Sequence, residues 1–424
     1  MGTKSKGWTF AAWTDFIPES AIRKLLKIKV KYYFAGGLPG IIPTDIFANI
    51  MSDLSEQYKK DPLMALEDFN YGPTGGQPWF LKTLAKRLHD VRDIPIDWET
   101  DWECVSVTNG SQQALYAILD TLIDPGDVII TPSPAYLGFL GPAVKLGARV
   151  ITIPTDLDGI IPEYVEKATR LSQMKFGKVP DIVYVVPDSD NPKGTTLPMK
   201  RRQALYDICE NHNILLLEDS AYAEIQFKPN PKPIKTLDKE NKRVAYLGTT
   251  SKEAAVLRVG YSVLPESLRD QVLKDKGYLD LCTSTLLQRI LNEYYKHHID
   301  NAMKAGIPLY KERYEAMAKA IDESFPAGTR TDPTGGFFIW WQSEDESFDS
   351  SVFLEKTGIP NEVIFVPGVG FYPLTGYTLN GGNDDLIPSK REANTMRLGF
   401  SYADPETIHD GISLLGTLLT KELG

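Results

Sequence analysis

The chain has 424 residues, 42% hydrophobic and 24% charged, an ordinary globular composition that excludes a disordered class. This length exceeds one ordinary core, so two domains, or one large and one small, are expected. A formal net charge of −10 argues against nucleic acid or an anionic membrane surface as a general partner.

The N-terminus carries no apolar signal core, and Lys6 stands where a myristoylation signal needs Ser or Thr. Segment 20–26 reads as a short amphipathic helix that includes Arg23. From about residue 100, short β-branched runs alternate with helical ones. Runs 104–107, 127–131, 149–153, 181–186, 213–217, 244–248 and 257–263 read as buried strands, with helices at 111–122, 162–171 and 198–210 between several of them. Such alternation predicts an α/β fold whose large domain holds a mostly parallel sheet covered by helices on both faces. Ligands then gather at the strand C-termini. After about residue 300 the pattern predicts a helix over 310–324, strands at 336–341, 363–366 and 395–400, and a closing helix from Pro405: a smaller α+β domain. Segment 380–390, rich in Gly, Asn and Asp, reads as a loop. The expected division is a large domain over 46–300, with 1–45 and 301–424 forming an N-terminal arm and the small domain.

No apolar run approaches the roughly 18 to 20 residues that a bilayer span needs, so no membrane partner is expected. Cys104, Cys209 and Cys282 are too few and too far apart for a zinc cluster or disulfide framework, and His297 and His298, being adjacent, face different sides of a helix. No metal is expected, and a cytoplasmic location fits best.

The chemistry concentrates at predicted strand ends. Thr249-Thr250-Ser251-Lys252 follows Glu218-Asp219-Ser220-Ala221-Tyr222 by about thirty residues. A lysine amine can form an imine with the aldehyde of pyridoxal phosphate, a buried carboxylate can keep the pyridine nitrogen protonated, and a phenol can hydrogen-bond the ring hydroxyl. Gly110 and Ser111 open a predicted helix whose free amides suit a phosphate, although an ordinary cap by Ser111 or Asn109 is the plainer reading of this motif taken alone. Tyr136, beyond another strand, can stack on a heterocycle or simply pack. Asn191 lies in Asp188-Ser189-Asp190-Asn191-Pro192-Lys193-Gly194, which also reads as a turn. Arg258 can reach a phosphate and Arg397 can hold a carboxylate through two parallel hydrogen bonds, while a surface ion pair is the plainer reading of each. Four of these groups follow different strands of one sheet, and that convergence favours a site.

In order along the chain stand Phe34-Ala35-Gly36-Gly37-Leu38-Pro39, Tyr71-Gly72-Pro73-Thr74-Gly75-Gly76, Gly110-Ser111-Gln112-Gln113-Ala114-Leu115, Asn191-Pro192-Lys193-Gly194, Asp219-Ser220-Ala221-Tyr222, Ser251-Lys252 and Asn394-Thr395-Met396-Arg397-Leu398. With these seven motifs the chain resembles the fold type I pyridoxal-phosphate aminotransferases of class I and II, and among them the 2-aminoadipate, kynurenine and aromatic aminotransferase subgroup. The resemblance implies a seven-stranded large-domain sheet. It also implies that Lys252 links covalently to the cofactor, Asp219 holds the pyridine nitrogen, Asn191 and Tyr222 hold the ring hydroxyl, and Tyr136 stacks on the ring. Ser111, Gln112, Thr249, Ser251 and Arg258 would hold the phosphate, joined by Tyr71 from the neighbouring subunit of a homodimer with shared active sites. Gly37, Asn191, Arg397 and Arg23 would contact substrate, with Arg397 on the α-carboxylate and Arg23 on a distal carboxylate.

The reaction so implied moves an amino group from an L-amino acid, aromatic or 2-aminoadipate-like, to 2-oxoglutarate by a ping-pong mechanism. The alternatives are a β-lyase or decarboxylase on the same cofactor, or a non-catalytic regulator built on the same fold. Three departures stand out. The step from Lys252 to Arg258 is one residue shorter than in the family and lacks its Pro-Gly. Asp188 and Asp190 add carboxylates that would disfavour acidic side chains, and Lys193 would offset that charge.

Overall fold

The computed structural model describes residues 4–5, 7–15, 17, 19, 21–382 and 384–424. Its large sheet is built on β1 (Val105–Thr108), β2 (Val128–Ser133), β3 (Arg149–Asp156), β4 (Ile182–Val185), β5 (Leu215–Asp219), β6 (Val244–Thr249) and β7 (Gly260–Val263). They lie in the order β3-β2-β4-β5-β6-β7-β1, with β7 alone antiparallel to both its neighbours. Alternate side chains serve opposite faces. Ile129, Val150, Tyr184, Leu217 and Leu247 pack with the helices Ser111–Leu122 and Leu137–Lys145, whereas Ile130, Ile151, Val183, Leu216 and Val244 pack with Pro162–Phe176 and Met199–His212. Burial on both faces explains why these strands read as continuous apolar runs.

The small sheet comprises β8 (Gly328–Arg330), β9 (Phe338–Ser343), β10 (Val366–Pro367) and β13 (Thr395–Gly399), antiparallel in the order β8-β9-β13-β10. Its core, including Trp341, Phe365, Met396 and Leu398, is closed by the C-terminal helix Pro405–Leu423 and the long helix Ile299–Ser324. Among the described residues no helix is long and apolar enough to cross a membrane.

Four local expectations are revised. Segment 380–390 is not simply a loop: β11 (Tyr377–Asn380) and β12 (Asp385–Pro388) form a hairpin whose first strand pairs in parallel with β3, and with the short strand Gly159–Ile160 this extends the large sheet to ten strands. Leu379 and Leu386 are buried there, and the Gly- and Asn-rich turn between them masked the alternation. The helix expected at 310 starts at Ile299 and runs through Pro308, which costs one backbone hydrogen bond without ending the helix. The single strand expected over 363–366 is two: Val363–Ile364 pairs with Tyr32–Tyr33, and β10 pairs with β13. The strand expected from 257 begins at Gly260, because Ala255–Leu257 forms a 3₁₀ turn and Arg258 adopts the left-handed conformation, φ 51°.

Candidate active site

At the C-terminal edge of the large sheet, β5 ends in two adjacent carboxylates that face opposite ways. Glu218 turns to the face covered by Pro162–Phe176 and Met199–His212 and accepts hydrogen bonds from the amides of Ile234 (3.0 Å) and Lys235 (2.8 Å). Asp219 turns to the other side, where the Tyr184 hydroxyl donates to Oδ2 at 3.0 Å while Oδ1 is buried with no partner. The Tyr184 ring is fixed by stacking on Phe139 at 3.8 Å. Burial pushes the Asp219 carboxyl up to about 6, against the opposing effects of Tyr184, the charge of Lys252 and the nearby Ala221 amide, which does not reach Oδ1 in hydrogen-bonding geometry.

Lys252 lies just past β6, its Nζ 4.8 Å from the centre of the Tyr222 ring and 5.8 Å from that of Phe337. Desolvation pulls its pKa down to about 8, although Asp219 and Glu253 favour its charged form. A half-buried, desolvated lysine of this kind keeps a reactive fraction of neutral amine near physiological pH. Tyr222 and Asn191 lie together, and burial raises the Tyr222 phenol.

Arg397, on β13, is almost wholly buried. One guanidinium nitrogen donates to Asn191 Oδ1 at 2.8 Å and the other to the Ala35 carbonyl at 2.7 Å, while Nε has no partner. Among the described residues no carboxylate pairs with it; the Phe338 ring lies 3.9 Å away and Phe371 5.1 Å away. Desolvation lowers its pKa to about 10. Gly37 abuts the same aromatic wall, since a Cβ there would fall 2.6 Å from Phe338 Cζ.

A third cluster forms between the start of Ser111–Leu122 and the turn after β6. The helix opens at Gly110, φ 75°, without a side-chain cap, so its first amides remain available. Arg258 Nη1 and Thr249 Oγ1 donate to Ser251 Oγ at 2.9 and 3.0 Å. A Cβ on Gly110 would lie 2.4 Å from Arg258 Nη2, so glycine admits the guanidinium. The shortened step from Lys252 therefore still delivers Arg258 to the hydroxyl cluster, through the 3₁₀ turn and its left-handed φ. Gln112 bonds the Gly138 carbonyl at 2.6 Å and accepts from the Tyr136 hydroxyl at 3.1 Å, which ties the aromatic ring to the helix start.

The structure thus brings together Lys252, Asp219, Tyr222, Asn191, Tyr136, Arg397, Ser111, Gln112, Thr249, Ser251 and Arg258, with Gly37 at the rim. Tyr71 and Arg23 are not brought in. Tyr71 is 80% exposed, and Arg23 is exposed on the five-residue helix Ala21–Leu25, which packs beside β10. The expected charge effect of Asp188 is also corrected. It is fully buried in ion pairs with Arg202 (2.6 Å) and Arg92 (3.2 Å), a structural arrangement directed away from substrate. Asp190 accepts from the Thr195 amide (2.6 Å) and hydroxyl (2.7 Å), and the Lys193 ammonium is directed to Thr155 instead of pairing with it.

Sequence reasoning passed over Tyr184, which only its alternation with Val183 and Val185 on β4 would have aimed at Asp219. It also passed over Glu253, whose two carboxylate oxygens are buried without partners and whose pKa is pushed up to about 8 by burial and by Glu224.

Comparison with known proteins decides the family. The model of aminotransferase class I and II matches residues 49–371. The chain belongs to this family. It is 33% identical to the aromatic-amino-acid aminotransferase 1 of Thermococcus litoralis, over 95% of this chain and 92% of that one. A crystal structure of Pyrococcus horikoshii kynurenine aminotransferase, in complex with PMP and kynurenine, superposes with a TM-score of 0.85 at 31% identity, covering 98% of each chain. The α-aminoadipate aminotransferase LysN of Thermus thermophilus, complexed with N-(5'-phosphopyridoxyl)-L-leucine, gives 0.83 at 26% identity, again over 98% of each. The protein is a pyridoxal-phosphate-dependent aminotransferase of the type I fold, acting on small amino and oxo acids.

The residues present fit that cofactor. The orphaned Asp219 oxygen suits a protonated ring nitrogen, the Gly110 and Ser251 cluster suits a phosphate, and Lys252 offers the amine.

The buried carboxylate generates a stability prediction. Since the folded pKa of Asp219 lies above its unfolded value, its contribution is complete below about pH 4 and is lost as pH rises towards 6. Cofactor-free Asp219→Asn should therefore be more stable than cofactor-free wild type near pH 7, by roughly 3 kcal/mol, with a difference that shrinks towards pH 4. Thermal denaturation of both proteins across this range measures it, and a pH-independent difference would contradict the assignment.

Proposed function

We propose that the enzyme transfers the amino group of an aromatic L-amino acid or 2-aminoadipate to 2-oxoglutarate in two half-reactions at one site. The observation that carries this reading is a pair of cations of lowered basicity, the half-buried Lys252 and the buried Arg397, the latter lacking a carboxylate partner among the described residues. The substrates for which the relatives are named, aromatic amino acids, kynurenine and α-aminoadipate, support the choice of donor.

Bound pyridoxal phosphate supplies an aldehyde that couples to amines and a protonated ring that accepts electrons. In this reading Asp219 keeps the ring nitrogen protonated through its free oxygen, and Asn191 with Tyr222 holds the ring hydroxyl. Tyr136 stacks on the ring. Ser111, Gln112, Thr249, Ser251 and Arg258 hold the phosphate. Arg397 binds the substrate α-carboxylate, positioned by Asn191 and the Ala35 carbonyl. Phe338 and Gly37 shape the adjoining wall and exclude water, which strengthens the charge interaction. Once the substrate amine takes its place, Lys252 carries the proton removed from the donor Cα to the cofactor, and in the second half-reaction it carries a proton to the Cα of the acceptor oxo acid. Arg23 receives the distal carboxylate of dicarboxylic substrates when the Ala21–Leu25 helix turns inward.

Two copies are proposed to share their active sites. Phe69, Tyr71, Tyr278 and Leu281 are all more than half exposed. Tyr278 and Leu281 flank Asp280, which accepts hydrogen bonds from Asn109 and from Gln113 (2.7 Å) beside the phosphate cluster. An apolar surface in this position fits a second copy whose Tyr71 reaches that cluster. The three cysteines are free, in keeping with a cytoplasmic location.

Incubation with L-phenylalanine or 2-aminoadipate and 2-oxoglutarate should yield glutamate and the matching oxo acid, with parallel lines in double-reciprocal plots. Carbon dioxide or ammonia released without an oxo-acid requirement would overturn the reading. Sedimentation velocity should give twice the chain mass. Mixing inactive Lys252→Ala with Tyr71→Phe subunits should redistribute activity among hybrid sites, and a fully active monomer would refute sharing.

A further inference from the structure

A cavity of about 510 Å³ lies between the two sheets, lined by the ends of β2 and β3, the β11–β12 hairpin and the faces of β8 and β9. This volume suits a small organic ligand. None of the residues placed at the cofactor or the substrate α-carboxylate lines it. It nevertheless adjoins them: Trp340 on its wall is the direct cross-strand partner of Arg397, and Tyr372 follows Phe371.

The charge balance of its lining is informative. Arg330 is engaged by both oxygens of Asp322, at 2.6 and 2.7 Å. Glu392 accepts from the Tyr372 hydroxyl at 2.9 Å and from Gln342 at 3.3 Å. Two ammonium groups remain. Lys193 donates only to neutral oxygens, Thr155 Oγ1 at 3.0 Å and the Asp156 carbonyl at 3.4 Å. Of the nearby carboxylates, that of Asp156 is engaged by Arg201, at 2.6 Å through each oxygen, while Asp190, whose Oδ1 takes both bonds from Thr195, acts on Lys193 by its charge without a hydrogen bond to the ammonium. Lys390, at the foot of the hairpin, has no partner among the described residues. Desolvation lowers the basicity of Lys193, a cost that a bound anion would offset.

We propose that this cavity is a second ligand site, distinct from the transamination site, for a small dicarboxylate whose two carboxylates are received by Lys193 and Lys390. The methylene spacer of such a ligand would lie against Trp340, Leu157 and Ile387. Because the walls come from both sheets and the hairpin, an occupant ties the two parts of the molecule together next to Arg397. It would thereby couple dicarboxylate concentration to the amino-acid site.

The test is calorimetric titration of the cofactor-loaded enzyme with glutarate, which has neither an amino nor an oxo group and cannot turn over. Two glutarates should bind per chain, one displaced by saturating amino donor and one not. The second should weaken tenfold or more in Lys193→Met, stay within about threefold in Lys193→Arg, and tighten in Glu392→Gln, which removes the carboxylate facing it. Were the proposed acceptor reading wrong, the donor-displaceable glutarate would be missing while the Lys193-dependent one remained. A single glutarate per chain, displaced by donor and indifferent to Lys193→Met, would overturn the second site. So would a second glutarate bound equally by the Met and Arg variants. If Lys193→Met does not fold, unchanged affinity in Glu392→Gln overturns it.

Discussion

A carboxylate oxygen buried without a partner, Oδ1 of Asp219, is the constraint around which the site is arranged. Such a group costs several kcal/mol unless a cation or a proton meets it, and here burial alone holds the carboxyl near pKa 6. Tyr184 satisfies the other oxygen and leaves this one aimed at the space shared with Lys252 and Tyr136. A protonated heterocycle is the group that completes it, and the electron demand of transamination needs that proton. The same deficit helps to retain Lys252 as a cation despite its desolvation, so cofactor and lysine compete for one negative charge.

The contrast with the other buried charges is instructive. Lys235 is enclosed by Asp238, Asn241 and the Val244 carbonyl at 2.9, 2.5 and 2.6 Å, and Asp188 by two arginines. These ions are satisfied and serve the fold. Asp219 and Arg397 each keep a buried atom without a hydrogen bond among the described residues, Lys252 is desolvated beside Asp219, and preorganised, unsatisfied groups are what a binding and catalytic site requires.

Much of this was legible in the sequence. The central strands bury both faces and therefore appear as uninterrupted apolar runs, so their ends could be located and Asp219, Lys252 and Asn191 assigned to one edge. Strand pairing between distant segments was not legible. Asp188 meets Arg92 from 96 residues away, and no local pattern distinguishes it from a carboxylate that faces substrate. The hairpin at 377–388 was hidden because its turn residues outnumber the two leucines that anchor it. Arg258 was doubtful by spacing, yet a 3₁₀ turn and one left-handed residue take up the missing length, a compensation visible only in three dimensions. Glu253 was passed over because an acidic residue beside a lysine ordinarily reads as solvated surface.

The central claim is that Lys252, among all the lysines of the chain, is the amine that the cofactor meets. Borohydride reduction of the pyridoxal-phosphate-loaded protein, followed by proteolysis and mass spectrometry, tests it directly. The account predicts one stoichiometric phosphopyridoxyl label, on the peptide containing Lys252, and its disappearance in Lys252→Ala. Stoichiometric label on any other lysine, or its persistence in that variant, would contradict it.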